Sequence, residues 1–209
     1  MDREIKQVTR KEYLPFMLDI HYAGRSPSVS YAYGLFMKDT LEGIVSYGTP
    51  PSSTLRRGVA GDRFIPDILE LNRLVLQCNN KNDSSWLIAN SLKLLPRNKI
   101  VVSYADTSQD HVGYVYQATN FIYTGLSAKR TDWKVRGKEH LHSQSIIDEF
   151  RGQPNRSKCL REKYGDDFYT IDRPRKHRYI YVIGSKTYKK EVLKNLKYKI
   201  ENYPKGVDK

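Results

Sequence analysis

Lys99-Ile-Val-Val-Ser-Tyr104 is the stretch of sequence that most clearly predicts the fold. A nearly continuous apolar run rich in β-branched residues is typical of a central strand that is covered on both faces. Ile68–Leu76 has a similar character, so we expect a second strand there. Two extended runs, Ser30–Phe36 and Leu41–Tyr47, are joined by Lys38-Asp-Thr and predict a hairpin. The core is therefore predicted to be a sheet.

Helical patterns lie between these strands. We expect helices and two more strands at the following positions: helices Lys11–Ile20, Ser85–Leu95, His111–Thr119 and Lys189–Ile200, and strands Phe121–Gly125 and Tyr179–Ile183. Gly48–Gly61 contains two prolines and is expected to be a loop. The order α, ββ, β, α, β, α, β predicts an α+β fold, with a mixed central sheet flanked by helices. One structural domain is expected, made of a core at residues 1–128 and a basic region at 129–209 that completes the fold.

Composition excludes several classes of protein. The 209 residues are 39% hydrophobic and 28% charged, and no run approaches the roughly 18 apolar residues of a membrane-spanning helix. The first residues lack the apolar centre of a signal peptide, which predicts a protein that is not exported. Two cysteines, Cys78 and Cys159, are too few for a disulfide framework or a cysteine-based zinc site and suit a reducing cytoplasm.

The net charge of +13 is unevenly distributed along the chain. Residues 129–209 carry 22 basic and 11 acidic residues, so nearly all of the excess lies there. Such an asymmetry favours a polyanionic partner, and nucleic acid before a membrane, because no basic helix with an exposed apolar face accompanies it. A merely basic, solvated surface is the alternative.

Two segments contain residues suited to chemistry. Asp106 follows the central strand, where open sheets bind ligands, and Tyr116 lies on the next helix, so an acid and a phenol are predicted to face one crevice. The alternative is that Asp106 caps the next turn and Tyr116 is part of the core.

The second segment is the loop before the helix at Ser85–Leu95. Its small polar residues and Lys81 are typical of a phosphate-binding loop, with Asp83 and Ser84 capping the helix. Ser91 either faces a ligand or bonds back to its own helix.

The central motifs resemble those of the bacteriophage Mom proteins. Tyr104-Ala-Asp106 and Gly113–Gly125 carry the resemblance, supported by Glu70-Leu-Asn-Arg-Leu-Val75, Lys176-His-Arg-Tyr179 and Tyr198–Gly206. The resemblance implies a GNAT-like acyltransferase fold, in which Asn79–Ser85 replaces the usual glycine-containing loop. It also implies phage DNA modification in the host cytoplasm, with adenine N6 in duplex DNA converted to a methylcarbamoyl adduct that protects against restriction.

The same resemblance assigns site residues. His21, Tyr22, Asp106 and Tyr116 are implied as catalytic residues, Ser91 is implied on the side of an acetyl-CoA or related acyl donor, and His21 with Asp106 is implied to bind iron. We place Lys81, Ser84 and Ser85 with Ser91 in the donor site. In this interpretation Asp106 accepts a proton from adenine N6, and Tyr116 protonates the leaving group. The base must be flipped out of the duplex to reach them.

Duplex binding is assigned to the basic region. The expected phosphate contacts are Lys129, Arg130, Lys134, Arg136, Lys138, Arg173, Arg175, Lys176 and Arg178. Trp133 is expected to be a core residue, and a homodimer is compatible with the sequence. Two other functions stay open: a GNAT-type acyltransferase that acts on RNA or protein, and a non-catalytic DNA-binding, anti-restriction protein.

Overall fold

The computed structural model describes residues 3–22, 24–78, 80–141 and 143–206. Its strands are β1 (Arg3–Gln7), β2 (Tyr31–Met37), β3 (Thr40–Gly48), β4 (Ile68–Leu76), β5 (Lys99–Asp106), β6 (Ile122–Leu126), β7 (Arg130–Val135), β8 (Phe168–Arg173) and β9 (Lys176–Ile183). Its α-helices are α1 (Arg10–Pro15), α2 (Ser53–Ala60), α3 (Asp83–Leu94), α4 (Tyr114–Ala118), α5 (Ser143–Asp148), α6 (Arg156–Tyr164) and α7 (Lys186–Asn195). A mixed sheet of seven strands runs in the order β1-β2-β3-β4-β5-β9-β6, and helices flank it, which confirms the α+β prediction.

The strongest local patterns give the expected elements. β4 spans the residues predicted for it, and β5 extends the predicted central strand to Asp106. The hairpin of β2 and β3 turns through Lys38 and Asp39, whose positive φ values of 47° and 64° match the two-residue turn that follows the strand twist.

α2 and β1 are elements that were not predicted from the sequence. Most of the expected loop at Gly48–Gly61 is α2, because the Ser52 side chain caps its first turn by accepting a hydrogen bond from the Leu55 amide. The short edge strand β1 has no apolar alternation and forms by pairing with β2.

The sheet is buried on both faces, which we call face 1 and face 2. Face 1 is covered by α3 and α4 and contains Tyr47, Leu71, Val101, Tyr116 and Tyr179. Face 2 is covered in two places. α2 and α7 pack on Ile68, Ile100, Val102, Ile180 and Val182, and the α1 segment packs on Ala32, Ile44 and Val75. Side chains alternate between the faces along each strand, so Tyr104 and Asp106 belong to face 2.

The chain divides into two compact units. The sheet unit consists of Met1–Leu126 and Lys176–Lys209, as far as these are described, and Ser127–Arg175 forms the second unit. The expected boundary after residue 128 is close to the first junction, but residues 176–206 return to the sheet because β9 pairs with both β5 and β6. The second unit has its own core of Val135, Ile146, Leu160 and Phe168. Within the described ranges, no helix is long and apolar enough to cross a membrane.

Candidate active site

A gap opens in the sheet between β4 and β5. The two parallel strands pair only from Ile68 with Ile100 to Glu70 with Val102, although β4 continues to Leu76 and β5 to Asp106. The facing edges beyond this point form no ladder with each other in the described chain. Ser103 bridges the start of the gap, where its Oγ donates to the Leu71 carbonyl at 3.2 Å. Such a gap at the carboxyl ends of parallel strands is where open sheets bind ligands.

A β-bulge decides which charged residues face this gap. Leu71 pairs with Tyr47 and Arg73 pairs with Ser46, so Asn72 is an extra residue on β4. The bulge is held by a hydrogen bond of 2.7 Å from Ser46 Oγ to the Asn72 side-chain oxygen. Because the extra residue shifts the alternation by one, Glu70 and Arg73 share face 2 while the leucines remain on face 1.

Glu70 and Arg73 are partly buried charged residues on the same face of β4. Burial raises the pKa of Glu70, and nearby Arg73 and Lys176 act in the opposite direction without reversing the shift. Arg73 donates through Nη1 to the Asn72 carbonyl at 2.6 Å and through Nη2 to the Arg25 carbonyl at 3.0 Å. Its Nε is buried and has no hydrogen-bond partner among the described residues. Our sequence analysis gave these two residues no role, although charges inside an apolar strand are the signal that marks them.

His21 and Tyr22 lie on face 2 at the end of the first helix. α1 continues as a π-helix over Phe16–Ile20, and the His21 amide closes it on the Phe16 carbonyl at 3.0 Å. π-Helical turns are frequent at functional sites. The rings of His21 and Tyr22 stack with centroids 4.4 Å apart, and Tyr22 is 68% exposed. Burial, with a smaller effect of Arg73, lowers the pKa of His21 to about 4, so the imidazole is neutral at pH 7.

Tyr116 reaches toward the gap from face 1. It is 8% exposed, and its ring packs against Phe121 and Tyr179 at centroid distances of 5.4 and 5.2 Å. Burial raises its pKa, while a hydrogen bond with Ser103 acts against the rise and charges on Tyr22 and Glu70 add to it. Tyr116 is therefore a core residue with a polar tip at the gap, so both interpretations of the sequence apply.

Asp106 lies on face 2, and its carboxylate has three partners. It accepts hydrogen bonds from the Ser108 amide at 3.0 Å and from Ser108 Oγ at 2.8 Å, and it pairs with Lys176 Nζ at 2.7 Å. Burial acts to raise the pKa of Asp106, but the hydrogen bonds from Lys176 and Ser108 outweigh it, so the pKa is lowered. Asp106 thus caps the next turn and is ionised. A carboxylate of this kind is a weaker proton acceptor than Glu70.

The loop before α3, which was predicted to bind phosphate, has a buried carboxylate at the start of the helix. The N-cap is Asn82, and Asp83 is 1% exposed and pairs with Arg3 at 2.7 Å, so a carboxylate occupies the helix end. Ser85 Oγ donates to the Asn82 carbonyl at 3.1 Å. Ser84 begins α3 beside Asp83, and Lys81 is exposed. Asn79, the first residue of the predicted loop, lies outside the described residues.

Ser91 belongs to the core. It is 0% exposed, its Oγ lies 2.6 Å from the Tyr47 hydroxyl, and it donates to the Ile88 carbonyl at 2.9 Å. Bonding back to its own helix, the alternative considered for this serine, is therefore what the structure contains.

The implied iron site does not fit the residues present. No group of three or more His, Cys, Asp or Glu side chains that could hold a metal occurs in the described part of the chain. His21 and Asp106 are two donors, and the Asp106 carboxylate is already paired with Lys176. The 2-His-1-carboxylate sites of non-haem iron enzymes use three protein donors, so we assign no step to a metal.

Most of the side chains that were predicted to contact DNA have partners within the protein. Six of the nine side chains have intramolecular partners: Lys134 (carbonyls of Glu139 and Leu141), Lys138 (Tyr164 and Glu149), Arg173 (Asp132), Arg175 (Ser127 carbonyl), Lys176 (Asp106) and Arg178 (Thr124 and the Tyr198 ring). Lys129, Arg130 and Arg136 are exposed. Trp133 packs edge-on against Phe168 with ring centroids 5.6 Å apart, as expected for a core residue.

The sheet unit is an α+β structure with a gap between two parallel strands and ionisable groups on both sides of it. Solved structures similar to this chain include GNAT-family acetyltransferases. One from Bacillus cereus is 12% identical with a TM-score of 0.43, covering 88% of this chain and 100% of that one. One from Elizabethkingia anophelis, solved with acetyl-CoA bound, is 13% identical with a TM-score of 0.44, covering 87% and 98%.

Comparison by sequence identifies the family. The family model described as the Mom protein family matches residues 2–205, and the chain belongs to this family. It is 28% identical over 198 residues to the methylcarbamoylase Mom of Escherichia phage Mu. The matched region covers 88% of this chain and 76% of that protein.

Proposed function

We propose that this protein is a phage DNA-modification transferase that converts adenine N6 in duplex DNA to a methylcarbamoyl-type adduct, which protects the DNA from restriction. Membership of the Mom family and the named activity of the phage Mu relative support the class of reaction. The observation that carries the mechanism is the gap between β4 and β5, where Glu70 approaches from face 2 and Tyr116 from face 1.

Glu70 is the proposed proton acceptor. The lone pair of adenine N6 is shared with the ring, so the amine needs a base to remove its proton as it attacks. A carboxylate with a raised pKa accepts a proton near neutral pH better than an ion-paired one. Glu70 has the raised pKa and Asp106 the lowered one, so we transfer the acceptor role from Asp106 to Glu70.

Tyr116 is the proposed proton donor. Burial raises its pKa, so the phenol keeps its proton at neutral pH and can deliver it to a leaving group in the gap. Asp106 is the proposed positioning residue, because its pair with Lys176 joins the ends of β5 and β9 beside the gap. Tyr22, which is exposed and stacks on the partly buried His21, offers an aromatic surface for a base flipped out of the duplex.

The gap suits the extended arm of an acyl-CoA-type donor, which supplies an activated carbonyl when bound. Backbone groups on the facing edges of β4 and β5 have no ladder partners in the described chain beyond Glu70 and Val102, so they are available to amides of such an arm. Because Asp83 occupies the N-terminus of α3, we assign no phosphate contact to Ser84 or Ser85 there.

Mass spectrometry of nucleosides from plasmid DNA tests the proposal. Cells that express the protein are expected to contain a new deoxyadenosine adduct, and the variants Glu70→Gln and Tyr116→Phe are expected to lose it. Glu42→Gln on the neighbouring strand and Tyr114→Phe, exposed on the same helix as Tyr116, are matched controls that should retain it.

Two results would contradict parts of the proposal. Unmodified DNA from cells containing well-folded wild-type protein would exclude the DNA modification. Loss of the adduct in Asp106→Asn together with its retention in Glu70→Gln would return the acceptor role to Asp106.

A further inference from the structure

We infer that a row of lysines on and after α7 binds the phosphate backbone of the duplex substrate. This α7 lysine row consists of Lys186, Lys189, Lys190, Lys194, Lys197 and Lys199. The inference rests on the proposed function, since it names the surface through which the same DNA is held.

The row lies on the exposed side of a helix whose other side is buried. Val192 of α7 is fully buried on face 2, with Tyr188 and Leu196 packed around it. All six lysines are exposed. The apolar side is taken up by the sheet, so the helix has no apolar face with which to enter a membrane. A polar polyanion is the partner that such a surface fits.

These lysines differ from most of the basic residues that were predicted to contact DNA. No ion pair or side-chain hydrogen bond involves any of the six in the part of the chain that the structure describes. Glu191 is the only acidic residue of α7, and it forms an ion pair with Arg63. In contrast, six of the nine basic residues that were predicted from the sequence to contact DNA have partners within the protein. A cation that already pairs with a protein group gains less from a phosphate than a free one.

The position of the row connects it to the candidate site. α7 follows β9 and returns along face 2, and Tyr198, just beyond the helix, lies under the Arg178 guanidinium at 3.3 Å from its ring centroid. Arg178 is two residues along β9 from Lys176, the partner of Asp106. The row therefore runs along the sheet toward the end at which Asp106 lies.

The spacing of the row suits a charged backbone. Lys186, Lys190 and Lys194 are four residues apart, so they follow one helix face at intervals of about 6 Å and span about 12 Å. Duplex DNA carries one charge per about 1.7 Å of axis when both strands are counted, so 12 Å of duplex carries about seven phosphates, about half of them on each strand. Residues 176–209 carry ten basic and three acidic residues, a larger excess than the 12 and eight of residues 127–175.

The salt dependence of binding tests this surface. Three lysines that each neutralise a phosphate contribute about 2.7 to the slope of log K against log salt concentration. The triple variant Lys186→Gln, Lys190→Gln, Lys194→Gln should lose about that much slope on a labelled duplex between roughly 50 and 200 mM salt. Glutamine has nearly the helix propensity of lysine, so α7 should persist, as far-ultraviolet circular dichroism would check.

A second triple variant supplies the matched control. Lys11→Gln, Lys38→Gln, Arg97→Gln removes the same charge from exposed residues outside the row and should leave the slope nearly unchanged. An unchanged slope in the α7 variant would overturn the inference, as would an equal loss in both variants. Tighter binding to an RNA duplex than to DNA would overturn the assignment of the partner.

The two proposals fail separately. An α7 variant with the wild-type slope, in a protein that still makes the adduct, would overturn the lysine row and leave the enzyme standing. If the wild type makes no adduct but its slope depends on the α7 row, the DNA surface is supported and the proposed reaction is wrong.

Discussion

The buried hydroxyl pair of Ser91 and Tyr47 gives a quantitative test of whether Ser91 is structural or binds the donor. The variant Ser91→Ala removes the partner of a phenol that is fully buried on face 1. An unsatisfied buried hydroxyl costs about 1–3 kcal/mol, so Ser91→Ala should lower the free energy of unfolding by that amount. For a protein of this length, each 1 kcal/mol corresponds to a fall in Tm of about 2–4 °C.

A double-mutant cycle isolates the hydroxyl pair. Tyr47→Phe should cost less, about 0.5–1.5 kcal/mol, because Ser91 keeps its hydrogen bond to the Ile88 carbonyl. In the double variant the unpaired phenol is absent, so the two losses should not add. Denaturant titrations followed by tryptophan fluorescence measure all three variants. Ser85→Ala, which is partly exposed at the start of α3, is the control and should change stability by less than about 0.5 kcal/mol.

One result would refute this reasoning. If Ser91→Ala left the unfolding midpoint unchanged and weakened binding of an acyl-CoA, the Ser91 hydroxyl would face the ligand rather than Tyr47. The assignment of Ser91 to the core would then be wrong, and the donor-binding role implied by the family resemblance would stand.

Three further predictions concern other parts of the molecule. Because the pKa of His21 is lowered from 6.5 to about 4, the native state binds fewer protons than the unfolded state, and stability is lost as pH falls from 6.5 to 4. His21→Asn should flatten the dependence of the free energy of unfolding on pH in this range. An unchanged dependence would contradict the burial of the ring. Lys176→Met should raise the pKa of Asp106, because the substitution removes a hydrogen bond that lowers this pKa. NMR titration of the Asp106 carboxyl carbon measures the change, and an unchanged pKa would show that Ser108 alone lowers it. In the wild type, the stability that this pair contributes is lost as pH falls through the lowered pKa of Asp106. Leu160→Ala should destabilise the second unit by about 2–5 kcal/mol, read from hydrogen exchange of the amides of β7 and β8, and unaltered protection would argue against its separate core.

Local sequence patterns predicted the elements whose signals are strong. Continuous apolar runs placed β4 and β5, and the predicted turn joined β2 to β3. α2 was missed because Pro50 and Pro51 suggested a loop, although Ser52 is a good helix N-cap. β1 was missed because an edge strand with charged residues has no pattern of its own and depends on its neighbour.

The candidate site was predicted in part. The sequence predicted that Asp106 and Tyr116 face one crevice, whereas the structure has Asp106 on face 2 and Tyr116 on face 1. Glu70 was missed because its face depends on the bulge at Asn72, which is a property of strand pairing rather than of the sequence alone. The roles of the basic residues were also beyond the sequence, since it does not show which of them already have an acidic or carbonyl partner.

The way in which the second unit joins the sheet has a consequence for how the protein can vary. The chain leaves β6 at Leu126 and returns on β9, and Leu126 pairs directly with His177. Both ends of the insertion thus lie side by side on adjacent antiparallel strands, the arrangement that an ordinary hairpin turn would close. Ser127–Arg175 is therefore placed as an exchangeable module: recombination can lengthen, shorten or replace it without changing the register of the sheet that carries Glu70.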